Sequence, residues 1–216
     1  MKRAISVARL RFDASLLLAL AGEVPLPDIV RIAAPKRRAD FIAGRLAARA
    51  AIKELTGQMT LVGQAEGRPV WPDGTTGSIS HSGGCAIAVA SSTTDYRALG
   101  VDVETQLTEA QAETLAPQIL TVGEKDRLRG SVYALNSFAK ITTIVFSLKE
   151  CLFKALNPQT DVLFYHEDAE VLALSPNGLA TIRLLKSIGH QWPQGTVFNG
   201  HFVVRDDQVF ALVTMK

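Results

Sequence analysis

Apolar residues near the N-terminus largely alternate with basic and small ones, placing Ile5, Val7, Leu10 and Phe12 within residues 3–12, a strand-like period. Asp13 or Ser15 is then expected to cap a short helix through Leu20, ended by Gly22 and the Pro25/Pro27 pair. From Pro35 to Leu55 the period lengthens. Phe41, Ile42, Leu46, Ala50 and Ile52 or Leu55 recur three or four apart, which predicts a helix with Gly57 as its stop. Residues 61–78 read as loop, because Gly63, Gly67, Pro69, Pro72, Gly74 and Gly77 interrupt any regular element. Strands are predicted at Gly77–His81, Cys85–Ser91 and Leu99–Glu104, with Ser92–Arg97 as a hairpin connection.

The second half repeats the scheme without repeating the sequence. Residues 108–129 are polar and helical in tendency, and a long helix is expected from about Asn136 to Leu156, ended by Asn157-Pro158. Strand patterns follow at Glu170–Leu174, Ala180–Leu185, Gly200–Val204 and Val209–Met215. Pro176-Asn177-Gly178 and Arg205-Asp206-Asp207-Gln208 supply turns between them. Each half thus has a long helix followed by strands, and no βαβ rhythm runs through it. The expected class is α+β, with two subdomains, 1–105 and 106–216, acting as one functional unit.

Composition narrows the class further. The 216 residues are 47% hydrophobic and 20% charged, which excludes wholesale disorder. Lys plus Arg number 23 against 21 for Asp plus Glu, so a net charge of +2 gives no general affinity for nucleic acid. Cys85 and Cys151 belong to no CxxC pair, and read as buried thiols in a reducing compartment. The best apolar run near the N-terminus, Leu16–Ala21, is far short of the ~20 residues a membrane span needs. A soluble, cytoplasmic chain with no membrane span is expected.

Four groups of residues carry candidate chemistry. In Leu99-Gly100-Val101-Asp102-Val103-Glu104, strand geometry puts Asp102 and Glu104 on one face and the valines on the other. Paired carboxylates suit a hard cation such as Mg²⁺, and a solvated strand face is the alternative. In Phe146-Ser147-Leu148-Lys149-Glu150-Cys151-Leu152-Phe153-Lys154, Glu150 and Lys154 are i,i+4 neighbours among apolar flanks. The stretch Trp71-Pro72-Asp73-Gly74-Thr75-Thr76-Gly77-Ser78-Ile79-Ser80-His81-Ser82 offers backbone N–H groups, hydroxyls and one imidazole to phosphate oxygens. No G-x-S-x-G elbow surrounds either serine, which disfavours a hydrolase triad. The fourth group is basic: Lys36, Arg37, Arg38, Arg45 and Arg49, of which Arg38, Arg45 and Arg49 lie along one side of the expected helix.

The order of these groups resembles the 4′-phosphopantetheinyl transferase superfamily, within it the monomeric group of the enterobactin-synthase type that primes siderophore and other nonribosomal peptide synthetases. The resemblance runs from about Arg37 to Leu156 and rests chiefly on G-V-D-V-E and K-E-C-L-F-K, supported by G-R-L-A-A-R, W-P-D-G and G-S-I-S-H-S. It implies two similar packed α+β subdomains in a pseudo-twofold arrangement with the active site between them. It also implies coenzyme A as co-substrate, Mg²⁺ (or Mn²⁺) held by Asp102, Glu104 and Glu150, and a carrier-protein serine as acceptor.

By the same resemblance Glu150, or a water it orients, takes the serine proton. Lys154, supported by Lys149, neutralises the diphosphate. Arg38, Arg45, His81 and the Ser80 region grip the 3′-phosphate, while Arg49 stands open between that role and a structural one. Many relatives carry a basic residue just before Gly-x-Pro. Here Glu66 stands there, and Arg68 is the candidate to supply the charge. The acidic face of an apo peptidyl, aryl or acyl carrier domain is expected to meet Lys125, Arg127 and Arg129, for which a solvated loop is the alternative. The competing readings are a Mg²⁺-dependent nucleotide phosphohydrolase and a catalytically degenerate carrier-binding module.

Overall fold

The computed structural model describes residues 4–15, 21–127, 137–160 and 162–216, and mixes helices with antiparallel sheets, an α+β fold. The chain divides into two compact units, Met1–Val103 with Lys216, and Glu104–Met215.

In the first unit strands β1 (Ser6–Arg11), β4 (Thr75–Ser82) and β5 (Cys85–Ser92) form an antiparallel sheet in the order β1-β5-β4. After β1 come a one-turn helix α1 (Asp28–Arg31) and the long helix α2 (Pro35–Thr56). Proline at N1 has no N–H to satisfy, which suits the start of α2. Its end is set by Gly57 at φ 81°, whose N–H donates to the carbonyl of Lys53.

One face of α2, with Ala39, Ile42, Ala43, Ala47, Ala48, Ala51 and Ile52, shares a core with Ala86, Ala88 and Ala90, alternate residues of β5. These small side chains allow a close approach: a Cβ on Gly44 would meet Ile79 Cγ2 at 2.9 Å. The basic start of α2, Lys36-Arg37-Arg38, contains no acidic residue in its first turn.

Two expectations change here. Residues 61–78 are not all loop: β2 (Gly63–Ala65) pairs with β3 (Arg68–Val70), and β4 already begins at Thr75. Glu66 and Gly67, at φ 50° and 78°, form the two-residue turn with both φ values positive that matches strand twist. The second change concerns Ser92–Arg97. Both edges of β5 are occupied, by β1 and β4, so the strand after it, β6 (Ala98–Thr105), cannot form a hairpin with β5.

In the second unit α3 (Glu109–Ile119) opens with a capping box between Thr108 and Gln111. The helical tendency read over 108–129 is broken at Leu120, which is extended (φ −96°, ψ 128°), before residues 122–127 turn helical again. Helix α4 (Phe138–Leu156) is capped by the Ser137 side chain, which accepts from the N–H of Lys140 at 3.1 Å.

Strands β7 (Ala169–Leu174), β8 (Leu179–Leu184), β9 (Val197–Arg205) and β10 (Gln208–Met215) pair successively as an antiparallel meander. Helix α4 buries Ile141, Ile144, Val145, Leu148 and Leu152, and Gly200 admits Leu148, whose Cδ2 lies 2.8 Å from where a Cβ would be. The helix expected through Leu20, the start of the long helix at Asn136, and Arg129 lie outside the described residues. Among the described residues no helix is long and apolar enough to cross a membrane.

Candidate active site

Helix α2 and strand β4 bring His81 beside Arg37 and Asp40. His81 Nε2 lies 3.3 Å from Arg37 Nη1, and His81 Nδ1 lies 3.8 Å from Asp40 Oδ2. An arginine N–H can only donate, so Nε2 accepts and the ring proton falls on Nδ1, toward Asp40. Asp40, 6% exposed, also accepts from Lys36 Nζ at 2.9 Å.

Two helical turns on, Arg45 is buried, with its guanidinium 4.8 Å over the Phe41 ring and Nη2 donating to Gln64 Oε1 at 3.2 Å. Burial pushes its pKa down to about 10. Arg45 Nη1 and Arg38 Nε are buried without a hydrogen-bond partner among the described residues.

Arg49 pairs with Glu23 at 2.9 Å, a structural tie. Arg68 is exposed on β3, next to Pro69, the register partner of the same Gln64. Ser80 is buried and donates to Asp102 Oδ1 at 2.7 Å, while Asp102 is itself 1% exposed. Glu104 is half-buried two residues further along β6, so strand geometry puts both carboxylates on one face.

In the second unit Glu150 and Lys154 lie one helical turn apart on α4, both half-buried. The Glu150 carboxyl is held below its ordinary value by a hydrogen bond from His166, against the opposing effect of burial, with the Lys154 charge assisting. Lys149 does not extend this pair. It is 2% exposed, and its ammonium donates at 2.8 Å to each of Ile119 O, Glu124 Oε2 and His166 O. Three donors are all an ammonium has, so none is left for a diphosphate. The expectation that Lys149 contacts the cofactor is corrected to an internal, structural position. Burial lowers its pKa from the ordinary value despite the nearby Glu124.

Two contacts were not foreseen from the sequence. Arg37, not the neighbouring Arg38, is the arginine beside His81, which the helical register alone could have separated. His166 lies on a 3-10 turn sixteen residues beyond Glu150 and had no motif to mark it. Among the described residues no three His, Cys, Asp or Glu side chains cluster in a metal-binding arrangement. Asp102 and Glu104, on one strand, and Glu150, on α4, each offer the oxygen ligands that hard divalent cations prefer.

Residues 27–91 match the 4′-phosphopantetheinyl transferase N-terminal domain, and residues 98–212 match the 4′-phosphopantetheinyl transferase superfamily. The chain belongs to the 4′-phosphopantetheinyl transferase superfamily. It is therefore a transferase, and coenzyme A is the family's substrate for modification of carrier proteins.

Enterobactin synthase component D of Salmonella typhimurium is 34% identical over 88% of this chain and 77% of its own length. The protein of the same description from Escherichia coli K12 is 37% identical over 60% of this chain and 59% of its own. A 4′-phosphopantetheinyl transferase of Nocardia iowensis is 31% identical over 63% of this chain and 59% of its own.

Proposed function

We propose that this transferase loads peptidyl or aryl carrier domains of a siderophore or other nonribosomal peptide synthetase, acting as a cytoplasmic monomer with Mg²⁺. The observation that carries the phosphate site is Arg45, a buried guanidinium with one nitrogen lacking a hydrogen-bond partner among the described residues. A buried guanidinium nitrogen without a hydrogen bond is costly, and an anion held there would offset that cost. Arg38, Arg45 and His81, with the Ser80 region and Arg68, are assigned to the 3′-phosphate of coenzyme A, and Arg37 is added to that group. Support for the client comes from the relatives named for enterobactin synthase.

Asp102, Glu104 and Glu150 would hold the divalent cation, which neutralises diphosphate charge when bound. Glu150, directly or through a water, takes the proton of the carrier serine, and its depressed pKa keeps it ionised at neutral pH. The serine oxygen bonds to the β-phosphorus as the bond from that phosphorus to the bridging oxygen breaks. Adenosine 3′,5′-bisphosphate leaves, and Lys154 balances the charge developing on it. The protein's contribution is positioning and electrostatics.

Intact mass spectrometry tests this with apo aryl- and peptidyl-carrier domains, coenzyme A and Mg²⁺. A gain of one phosphopantetheine, lost with EDTA and in Asp102→Ala and Glu150→Gln, is the expected result. Coenzyme A consumed without a gain on any carrier would instead indicate hydrolysis. Carrier binding with neither change would indicate an interaction module. A wild-type rate in Glu150→Gln would remove the proton-accepting role.

A further inference from the structure

Phe146, Lys149 and Glu150 stand at i, i+3 and i+4 on α4, so they form one ridge of the helix. All three engage a single residue, His166. Its imidazole Nε2 is 2.9 Å from Glu150 Oε1, and its ring lies 5.2 Å from the Phe146 ring at a 56° tilt. Its backbone carbonyl accepts from Lys149 Nζ at 2.8 Å.

The turn that carries it is fixed from its own side as well. Tyr165 N donates to Asp168 Oδ2 at 2.9 Å, and Asp168 N donates to Tyr165 O at 3.0 Å. Lys149 is in turn anchored by Glu124, which accepts from Thr121 N at 2.7 Å and Val171 N at 2.6 Å. The imidazole is therefore held by a buried network that reaches α3, α4 and β7. A glutamate on a helix is otherwise a flexible side chain with several rotamers.

We propose that His166 is the positioning residue of Glu150, fixing one carboxylate oxygen so that the group is presented in a single orientation, with Lys149 anchoring His166 from beneath. This rests on the reading of Glu150 as a ligand and proton acceptor. It also gives the lysine beside Glu150 its purpose: the residue acts through the histidine backbone instead of touching substrate. Hydrogen-bond partners of metal-ligating side chains commonly affect metal affinity or activity by about 10- to 100-fold.

The test compares His166→Phe, which keeps an aromatic ring against Phe146 but cannot hydrogen-bond, with His166→Gln, whose amide can reach the carboxylate. His166→Ala controls for volume, and circular dichroism with thermal melting verifies folding of each. Two quantities are measured: Mn²⁺ affinity in the presence of coenzyme A by electron paramagnetic resonance, and kcat and KM on an apo carrier domain.

We expect about 10- to 100-fold weaker Mn²⁺ binding and a comparable fall in kcat for Phe and Ala, with KM for the carrier unchanged and much of both recovered by Gln. Phe within twofold of wild type in both measurements, or Gln no better than Phe, overturns the proposal. A wild-type protein that neither binds Mn²⁺ nor modifies any carrier overturns the underlying reading of Glu150, a result distinguishable from failure of the His166 variants alone.

Discussion

Lys149→Met separates a structural lysine from a substrate-binding one. The side chain is fully buried, and its ammonium joins Glu124 Oε2 at 2.8 Å. Removing one member of a buried pair costs about 3–5 kcal/mol because it leaves an uncompensated charge. Glu124 would keep its two backbone donors, Thr121 N and Val171 N, which favours the lower end for that part. Ile119 O and His166 O would each lose a donor, at roughly 1 kcal/mol apiece.

The combined loss is therefore about 5 kcal/mol, a large part of the roughly 5–15 kcal/mol that holds a folded protein together. At about 2–4 °C per kcal/mol for a chain of this size, the melting temperature falls by roughly 10–20 °C. Urea unfolding followed by circular dichroism measures the loss. Adding Glu124→Gln should recover about 1 kcal/mol or more, since the two residues are coupled. A Lys149→Met protein within about 0.5 kcal/mol of wild type, but with a greatly raised KM for coenzyme A, would refute the argument and restore Lys149 as a ligand.

Arg45→Met should leave the apo protein as stable or more so, because it removes a buried cation with an unpaired nitrogen. It should weaken coenzyme A binding about 10- to 100-fold by calorimetry, the equivalent of one or two charged hydrogen bonds. Glu170 is opposed by burial but held below its ordinary pKa by Arg183 and Arg127, so its stabilisation is present above the unfolded value and lost as pH falls through the folded one. Glu170→Gln should accordingly be less stable than wild type at pH 7, with the gap closing below pH ~4 in urea midpoints taken across pH. Gly77→Ala would place a Cβ within 2.6 Å of the Trp71 ring and closer still to Val89 O, and should cost about 1–3 kcal/mol by the same measurement.

What could be read from the sequence followed local chemistry. Proline and glycine bracketed α2 at Pro35 and Gly57, and the strand-turn patterns of the last 50 residues reappear as the meander. Glycine and proline counted as breakers hid β2 and β3, because the decisive fact was the paired positive φ at Glu66-Gly67. The hairpin expected at Ser92–Arg97 failed on a non-local cause, the occupation of both edges of β5. A helical wheel gives the direction of Lys149 but not its depth, and the depth decides its role. His166 reaches Glu150 only through the path of the chain after α4, which no spacing rule encodes.

The start of α2 carries a further consequence. Three successive cations, Lys36, Arg37 and Arg38, occupy the end of a helix whose own dipole is positive there, and Asp40 pairs with Lys36. Each misplaced cation opposes the helix by about 0.3–1 kcal/mol at low salt. That helix end therefore carries electrostatic frustration, a spring compressed by folding. Multivalent anions in the buffer should stiffen the molecule, raising its melting temperature where chloride at equal ionic strength does not. Coenzyme A at a hundred times its Kd would raise stability by about 2.7 kcal/mol through mass action. If the phosphate assignment proposed above holds, folding and substrate capture draw on the same unbalanced charge, so sequence changes that quiet this helix end would make a sturdier protein and a poorer enzyme.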